Sequence, residues 1–205
     1  MRTDTAWDRQ RAAIRAEITA TALDLFLRQG FEATSIDQIL DRVGVSRRSF
    51  FRYFGTKEDV VLGDLIARGE AIAAALGRRP IEEDPWTALR TAFGDAAETS
   101  AVDSTRTLAV GRMLFGTPSL RARHLEKRLR WQELLVPLIA ARLPTSPDRE
   151  LQANAIVAAA LTCLDAASRA WLDSDGRDDL GDLYDRAVAA VRMPPGNAET
   201  TAEPH

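Results

Sequence analysis

Five basic side chains, Arg42, Arg47, Arg48, Arg52 and Lys57, fall in a stretch that holds no Asp or Glu. The chain as a whole carries a formal net charge of −3, which is the wrong sign for a domain that binds nucleic acid over most of its surface. The local excess of positive charge therefore needs its own explanation. Arginine presents a planar fork of donors that matches guanine O6 and N7 in the major groove, and Ser or Tyr hydroxyls reach phosphate oxygens. The segment from Arg47 to Phe54 has residues for both tasks. As a helix it places Phe50 and Phe54 on one side, with Arg48 and Arg52 nearly opposite. Arg47 and Phe51 flank one edge, and Ser49 and Tyr53 the other. Two aromatics anchor such a helix while the arginines face outward. A charged surface helix in an ordinary bundle has the same pattern, and at this point both readings stand.

Other chemistries find little support. His124 has no Cys or His at metal-ligand spacing, and the second histidine, His205, lies in the tail, so no metal site is expected. Cys163 sits among apolar residues and reads as an inert core thiol. Asp165 and Asp173 share one predicted helix, as solvent-facing or interface charges. No Gly-rich phosphate loop is present. The chain is expected to be no enzyme and to hold no cofactor. The polar start of the chain, the single cysteine and the lack of an apolar run of membrane-spanning length point to a cytoplasmic protein with no membrane partner.

The elements that must position the basic residues can be read from periodicity and punctuation. Apolar residues recur at three and four, and alternating strand patterns are lacking, so the fold class is all-α, with about nine helices. Ile14, Ile18, Ala22, Leu25 and Phe26 stripe a first helix from about Asp8 to Gln29, ended by Gly30. Ser35 caps a short helix to about Val43, and Gly44-Val45 makes a turn. Ser46 caps the next helix, through Phe54. Thr56 caps a longer one from Lys57 to about Leu76, with Asp59 placed for a capping box. This is the two-helices-and-tight-turn arrangement of a helix-turn-helix. The helix starts at Ser35 and Ser46 also offer free N–H groups to phosphate. The domains expected are 8–56, 57–193 and a polar, disordered tail, 194–205.

Beyond the break at Gly77-Arg78-Arg79-Pro80, helices are predicted from Asp84-Pro85 to Thr99, Ser104 to Phe115, Pro118 to Leu143, Asp148 to Trp171 and Asp179 to Val191. Pro137 should kink or break the third of these. Trp86, Phe93, Met113, Phe115 and Trp131, with Leu135 and Cys163, either line an apolar pocket or fill the core. Arg121, Arg123, His124, Lys127, Arg128 and Arg130 share one helix. They either flank a site for a ligand with an anionic head and an apolar tail, or form a solvated face paired with Glu126 and Glu133. Ala159, Leu161, Leu164, Leu183 and Val191 on the last two helices either meet a second subunit in a four-helix interface or pack within the chain.

The stretch from about Ile18 to Leu62 resembles the DNA-binding domain of the tetracycline-repressor (TetR) family. The match rests on Ala22, Leu25, Phe26, Gly30, Phe31, Thr34-Ser35, Ile39, Val43-Gly44-Val45-Ser46, Ser49-Phe50-Phe51-Arg52-Tyr53-Phe54 and Lys57-Glu58. The resemblance implies a homodimeric regulator, a repressor above all, whose first three helices bind a duplex DNA operator and whose remainder takes a small molecule. It places Thr34 or Ser35 and Lys57 at phosphate-contact positions, and Arg47, Arg48, Ser49, Arg52 and Tyr53 on the recognition helix. Phe51 lacks the hydroxyl of the Tyr often found there, and Tyr53 is expected to take part of that contact. Pro118 to Leu143 also resembles the C-terminal domains of the mycofactocin-cluster regulator and its relatives, which implies an acyl-CoA-like or other small apolar effector. The alternative is a helix-turn-helix protein that works through protein partners without an effector. Salt-dependent DNA binding separates a regulator from a purely protein-binding adaptor.

Overall fold

The computed structural model describes residues 6–98 and 104–192, and these are all-helical. In chain order the helices are α1 (Ala6–Gln29), α2 (Ile36–Val43), α3 (Arg47–Tyr53), α4 (Lys57–Arg78), α5 (Pro85–Glu98), α6 (Ser104–Gly116), α7 (Pro118–Ala140), α8 (Arg149–Asp173) and α9 (Leu180–Arg192). The tail 194–205, expected to be disordered, lies outside the described residues.

The predicted punctuation sets most boundaries. The Ser35 hydroxyl accepts from the Gln38 amide, while the Gln38 side chain accepts from the Ser35 amide. Thr56 and Asp59 do the same for α4. Gly44 closes α2 with φ at 74°, a left-handed conformation that a Cβ disfavours. Asp84 accepts from the amides of Trp86 and Thr87 at 3.1 Å each and so caps α5, whose first residue is Pro85.

Two ends differ from the sequence expectation. Helix α7 stops at Ala140 rather than Leu143, because the Arg142 and Leu143 amides turn back to the Ile139 and Ala140 carbonyls at 2.9 and 3.1 Å, a tighter i→i+3 pattern. This places Pro137 in the last turn, where a missing N–H disturbs little that follows. Helix α4 runs on to Arg78, and the Arg142 guanidinium donates to the Leu76 and Arg79 carbonyls at 2.7 and 3.2 Å, satisfying acceptors at its end.

Two apolar cores organise the molecule. The first gathers Ile18, Ala22 and Phe26 of α1 with Phe31, Ile39, Leu40, Phe50, Phe54, Val60 and Leu62, and also takes Leu114 and Leu120 from α6 and α7. The second gathers Ile72 and Leu76 of α4, Leu89 and Phe93 of α5, Trp131, Leu135 and Ile139 of α7, Val157 and Leu161 of α8 and Leu183 of α9, among others. Helices α4 and α7 cross both cores. They run in the same direction and touch along their length. Arg123 reaches Asp59 at 3.4 Å near one end, and Arg142 reaches Leu76 at the other. Between these points Trp131 lies so close to Gly69 that a Cβ there would run into the indole ring.

By length and mean hydropathy α8 passes for a membrane span, which the sequence reading did not anticipate. Its inward apolar residues pack on α7 and α9. Its outward side carries Leu151, Ala155 and Thr162, all exposed, with Ala158 and Ala159 half-buried.

Candidate nucleic-acid interface

Helix α3 has seven residues, too few to hold together alone in water. It persists because its apolar side is fully used. Phe50 and Phe54 are buried, and their ring centroids lie 5.5 Å apart. Phe51 stands edge-on to Phe50 yet stays 47% exposed. The N-cap Ser46 accepts from the Ser49 amide at 3.1 Å, and its hydroxyl also donates to that of Ser49 at the same distance. Arg48 and Arg52 are exposed on the opposite side, as the helical spacing predicts.

The exposed side chains are not equivalent. Arg47 donates to both carboxylate oxygens of Asp37, at 2.5 and 2.6 Å, and so ties α3 to the first turn of α2. Both partners are well exposed, so the pair contributes little to stability and opens easily toward a phosphate. Arg52 folds back over the Tyr53 ring, 5.2 Å from its centroid, and reaches the Tyr53 hydroxyl at 3.4 Å. Among the described residues Arg48 is the recognition-helix arginine with no such partner, and its guanidinium projects into solvent.

Thr34 and Lys57, both expected at phosphate, are engaged within the protein around the loop between α1 and α2. Thr34 is only 1% exposed; its hydroxyl donates to the Gly30 carbonyl at 2.8 Å and accepts from Gln29 at 3.1 Å. It fastens the loop and presents no hydroxyl to a phosphate. Ser35 is exposed but its oxygen is engaged as the cap of α2. Lys57 turns inward. Its ammonium donates to the Phe31 and Thr34 carbonyls at 2.8 and 3.0 Å and sits 4.2 Å from the Phe31 ring centroid. The first residue of α4 therefore fixes the loop that introduces α2. Replacing Lys57 with Met should destabilise the fold by about 1–3 kcal/mol, since two partly buried carbonyls lose a charged donor. It should also weaken binding to operator and scrambled duplexes by the same factor. Urea unfolding and fluorescence anisotropy would check the two effects.

Three features of this region lay outside the sequence reading: the Asp37–Arg47 tie, the Gln29–Gln38 bridge at 3.1 Å and the Arg15 guanidinium 5.4 Å from the centroid of the Phe54 ring. Only Gln38 carried a usable signal, as the fourth residue of a Ser-x-x-Gln capping box.

A capped short helix anchored by two aromatics, with arginines on its outer side, is the recognition unit of a helix-turn-helix. Comparison with known proteins agrees. Residues 18–63 match the family model of bacterial regulatory proteins of the tetR family, and residues 83–194 match the MftR C-terminal domain. The HTH-type transcriptional regulator TcmR of Streptomyces glaucescens is 36% identical over 163 residues, covering 77% of this chain and 72% of that one. The chain belongs to the TetR family. It is a transcription regulator with a DNA-binding helix-turn-helix. MftR of Mycobacterium tuberculosis, whose name assigns it to the regulation of mycofactocin biosynthesis, is 26% identical over 137 residues, covering 65% of this chain and 68% of its own. The TetR family transcriptional repressor FadR of Thermus thermophilus, solved with lauroyl-CoA, shares the fold with a TM-score of 0.53 at 23% identity, covering 89% of this chain and 98% of its own.

In the remaining helices the structure separates residues that the sequence reading grouped. Of the seven expected pocket residues, Phe93, Trp131, Leu135 and Cys163 are buried together in the second core, and Trp86 packs on its edge. Met113 packs against the first core instead. Phe115 lines a cavity between α6 and α8. The seven do not share one pocket, because α6 leans on α1 and carries Met113 and Phe115 away from α5. The Cys163 thiol is pushed up by burial, which fits its reading as an inert core residue. Burial also raises the hydroxyl of Tyr184, whose ring lies edge-on to Phe93 and whose oxygen has no hydrogen-bond partner among the described residues.

The expected interface residues also divide. Leu161 and Leu183, expected at a subunit interface, are buried within the chain, and Leu164 is half-buried against the same core. Ala159 is half-buried on α8, and Val191 is exposed on α9. Most of the hydrophobic side of each helix is spent on the core, which leaves Leu151, Val191 and several small residues outside.

Proposed function

We propose that this TetR regulator is a ligand-responsive repressor that binds a pseudo-palindromic operator as a homodimer and is released by a small apolar or acyl-type effector. The observation that carries the reading is the outer side of α3, where Arg48 and Arg52 project from a helix whose other side is locked by Phe50 and Phe54. One such helix enters each major-groove half-site, Arg48 and Arg52 read base edges, and Ser49, Tyr53 and the helix starts at Ser35 and Ser46 lie toward the backbone. The exposed side of α8, with Leu151, Ala155, Ala158, Ala159 and Thr162, and Val191 of α9, supports a subunit interface, since small residues let two helices approach closely. The lauroyl-CoA bound to FadR and the match to the MftR C-terminal domain support an acyl-type effector. The close packing of Phe93, Trp131, Leu135 and Cys163 supports the second reading, regulation through protein partners with no effector.

Changing Arg48 or Arg52 to Ala should weaken operator binding by about 1–3 kcal/mol and relax sequence preference at the base each reads. Anisotropy titrations on operator selected from random duplexes would measure this, in parallel with lauroyl-CoA competition. Unchanged affinity in both variants would mean that another surface reads the DNA. A failure of acyl-CoA, or of any small molecule recovered with the protein, to shift the titration would favour the effector-free reading.

A further inference from the structure

Between the C-terminal ends of α6 and α8 lies a cavity of about 250 Å³, lined by Arg112, Phe115, Arg169, Leu172 and Asp173. Phe115 gives it a flat apolar wall. The Arg169 guanidinium lies 4.7 Å from the centroid of that ring, a cation held by an aromatic face. Arg112 donates to the Leu172 carbonyl at 3.3 Å and pairs with Asp175. Both members of that pair are at least half-exposed, so the bond is weak and a competing anion replaces Asp175 at small cost. The cavity thus combines two cations and the single carboxylate of Asp173 with one ring-sized apolar surface.

The region behind Phe115 is polar as well. The His124 ring lies edge-on to Phe115, with centroids 5.8 Å apart. His124 Nε2 lies 3.2 Å from Asp165 Oδ1, and Arg128 holds the other carboxylate oxygen at 2.5 Å. Burial would raise the Asp165 carboxyl, but the His124 hydrogen bond and the Arg128 charge hold it below the usual range. Asp165 is therefore the acceptor, and Nε2 carries the hydrogen. His124 Nδ1 is shielded from solvent and has no partner among the described residues. Buried polar atoms left unpaired are rare and mark places where something else completes the site.

We infer that this cavity is an effector site for a compact, ring-bearing organic acid, with the ring against Phe115 and the carboxylate between Arg112 and Arg169. This deepens the ligand-responsive reading above and rests on it for the regulatory consequence. The path to DNA is short. Helix α6 carries Arg112 and Phe115, and its Arg106 donates to Asp24 at 2.7 Å and to the Ala20 carbonyl at 3.2 Å, both on α1. Leu114 of the same helix is part of the first core. An acid that draws α6 toward α8 displaces the side of α6 on which α1 rests, and with it the spacing of the two recognition helices in a dimer.

The test uses the full chain, with benzoate as the probe and benzylamine as a cation of the same shape. Calorimetry should show saturable benzoate binding, at least tenfold weaker in Arg169→Met and in Arg112→Met, and no saturable benzylamine binding. Benzoate should also weaken operator binding in the parent and not in either variant. No saturable benzoate uptake, or equal uptake by parent and both variants, overturns the site. DNA release by lauroyl-CoA without benzoate binding does so too, while leaving the broader effector reading standing. Arginine-dependent benzoate binding that leaves operator affinity unchanged overturns the regulatory half alone.

Discussion

Phe50→Ala should lower folding stability by about 3–5 kcal/mol, the usual range for removing a fully buried aromatic, and should abolish operator binding. The Phe50 ring meets Phe51 and Phe54 and lies wholly inside the first core. Deleting it removes two aromatic contacts and opens a void that a seven-residue helix cannot close by shifting, because its caps at Ser46 and Phe54 are fixed to neighbours. The natural comparison is Phe51→Ala, one residue away on the same helix. Phe51 is 47% exposed, and its loss should lower stability by no more than about 1 kcal/mol. Phe50→Leu should recover most of the loss. Urea unfolding followed by circular dichroism gives the stabilities, and anisotropy gives the DNA affinities. Equal destabilisation by the two alanines would show that α3 is held by something other than its inner aromatic.

Lys127→Met should have the opposite sign. Lys127 is 6% exposed, and its ammonium donates to the Leu62 carbonyl inside α4, close to Asp59 and to the cations of Arg15, Arg123 and Arg130. Burial, only partly offset by Asp59, pushes this lysine down to about 8 from an ordinary value of 10.5. Between those two values the unfolded chain keeps a proton that the folded chain has released, so wild-type stability rises with pH across that window. Below about pH 8 both states are charged and the penalty of burying the ammonium is fully present. Methionine fills the same volume without a charge. At pH 7 the variant should gain about 1–3 kcal/mol, in line with apolar replacements of buried ions, and its stability should not climb between pH 8 and 10.5. Urea midpoints at pH 7 and pH 10 would decide this. A loss of stability at pH 7 would show that the hydrogen bond to Leu62 outweighs the desolvation of the charge.

Local chemistry made the helix-turn-helix legible. Ser35, Ser46 and Thr56 announce helix starts because their side chains satisfy specific amides, and Gly44 announces a turn that needs a left-handed residue. The faces of α3 followed from spacing alone, since Phe50 and Phe54 have one place to go. Lys57 was less legible. A lysine at the start of a helix suits a phosphate and a backbone carbonyl equally, and only the folded loop brings the Phe31 and Thr34 carbonyls within reach. The burial of Thr34 depends on the same loop and has no signal in the sequence. In the body the difficulty is of another kind. Periodicity reveals that a helix has an apolar stripe but not what covers it, so Leu161 and Leu183 could be assigned to a partner although they face their own core. The cavity between α6 and α8 depends on Arg112 and Phe115 from one helix and Arg169 from the other, and no sequence spacing encodes that meeting.

The passage of α4 and α7 through both cores bears on how the protein comes apart. A head joined to a body by a flexible linker melts by itself and leaves the rest intact. Here Val60 and Leu62 are rooted in one core while Ile72 and Leu76, on the same helix, are rooted in the other, and Leu120 and Trp131 divide α7 in the same way. Loosening the head takes contacts from the body through two rigid rods at once, which ties the two regions into one cooperative unit. A message written as displacement in the body therefore reaches the head without a hinge to absorb it, and damage to either region is felt in the other.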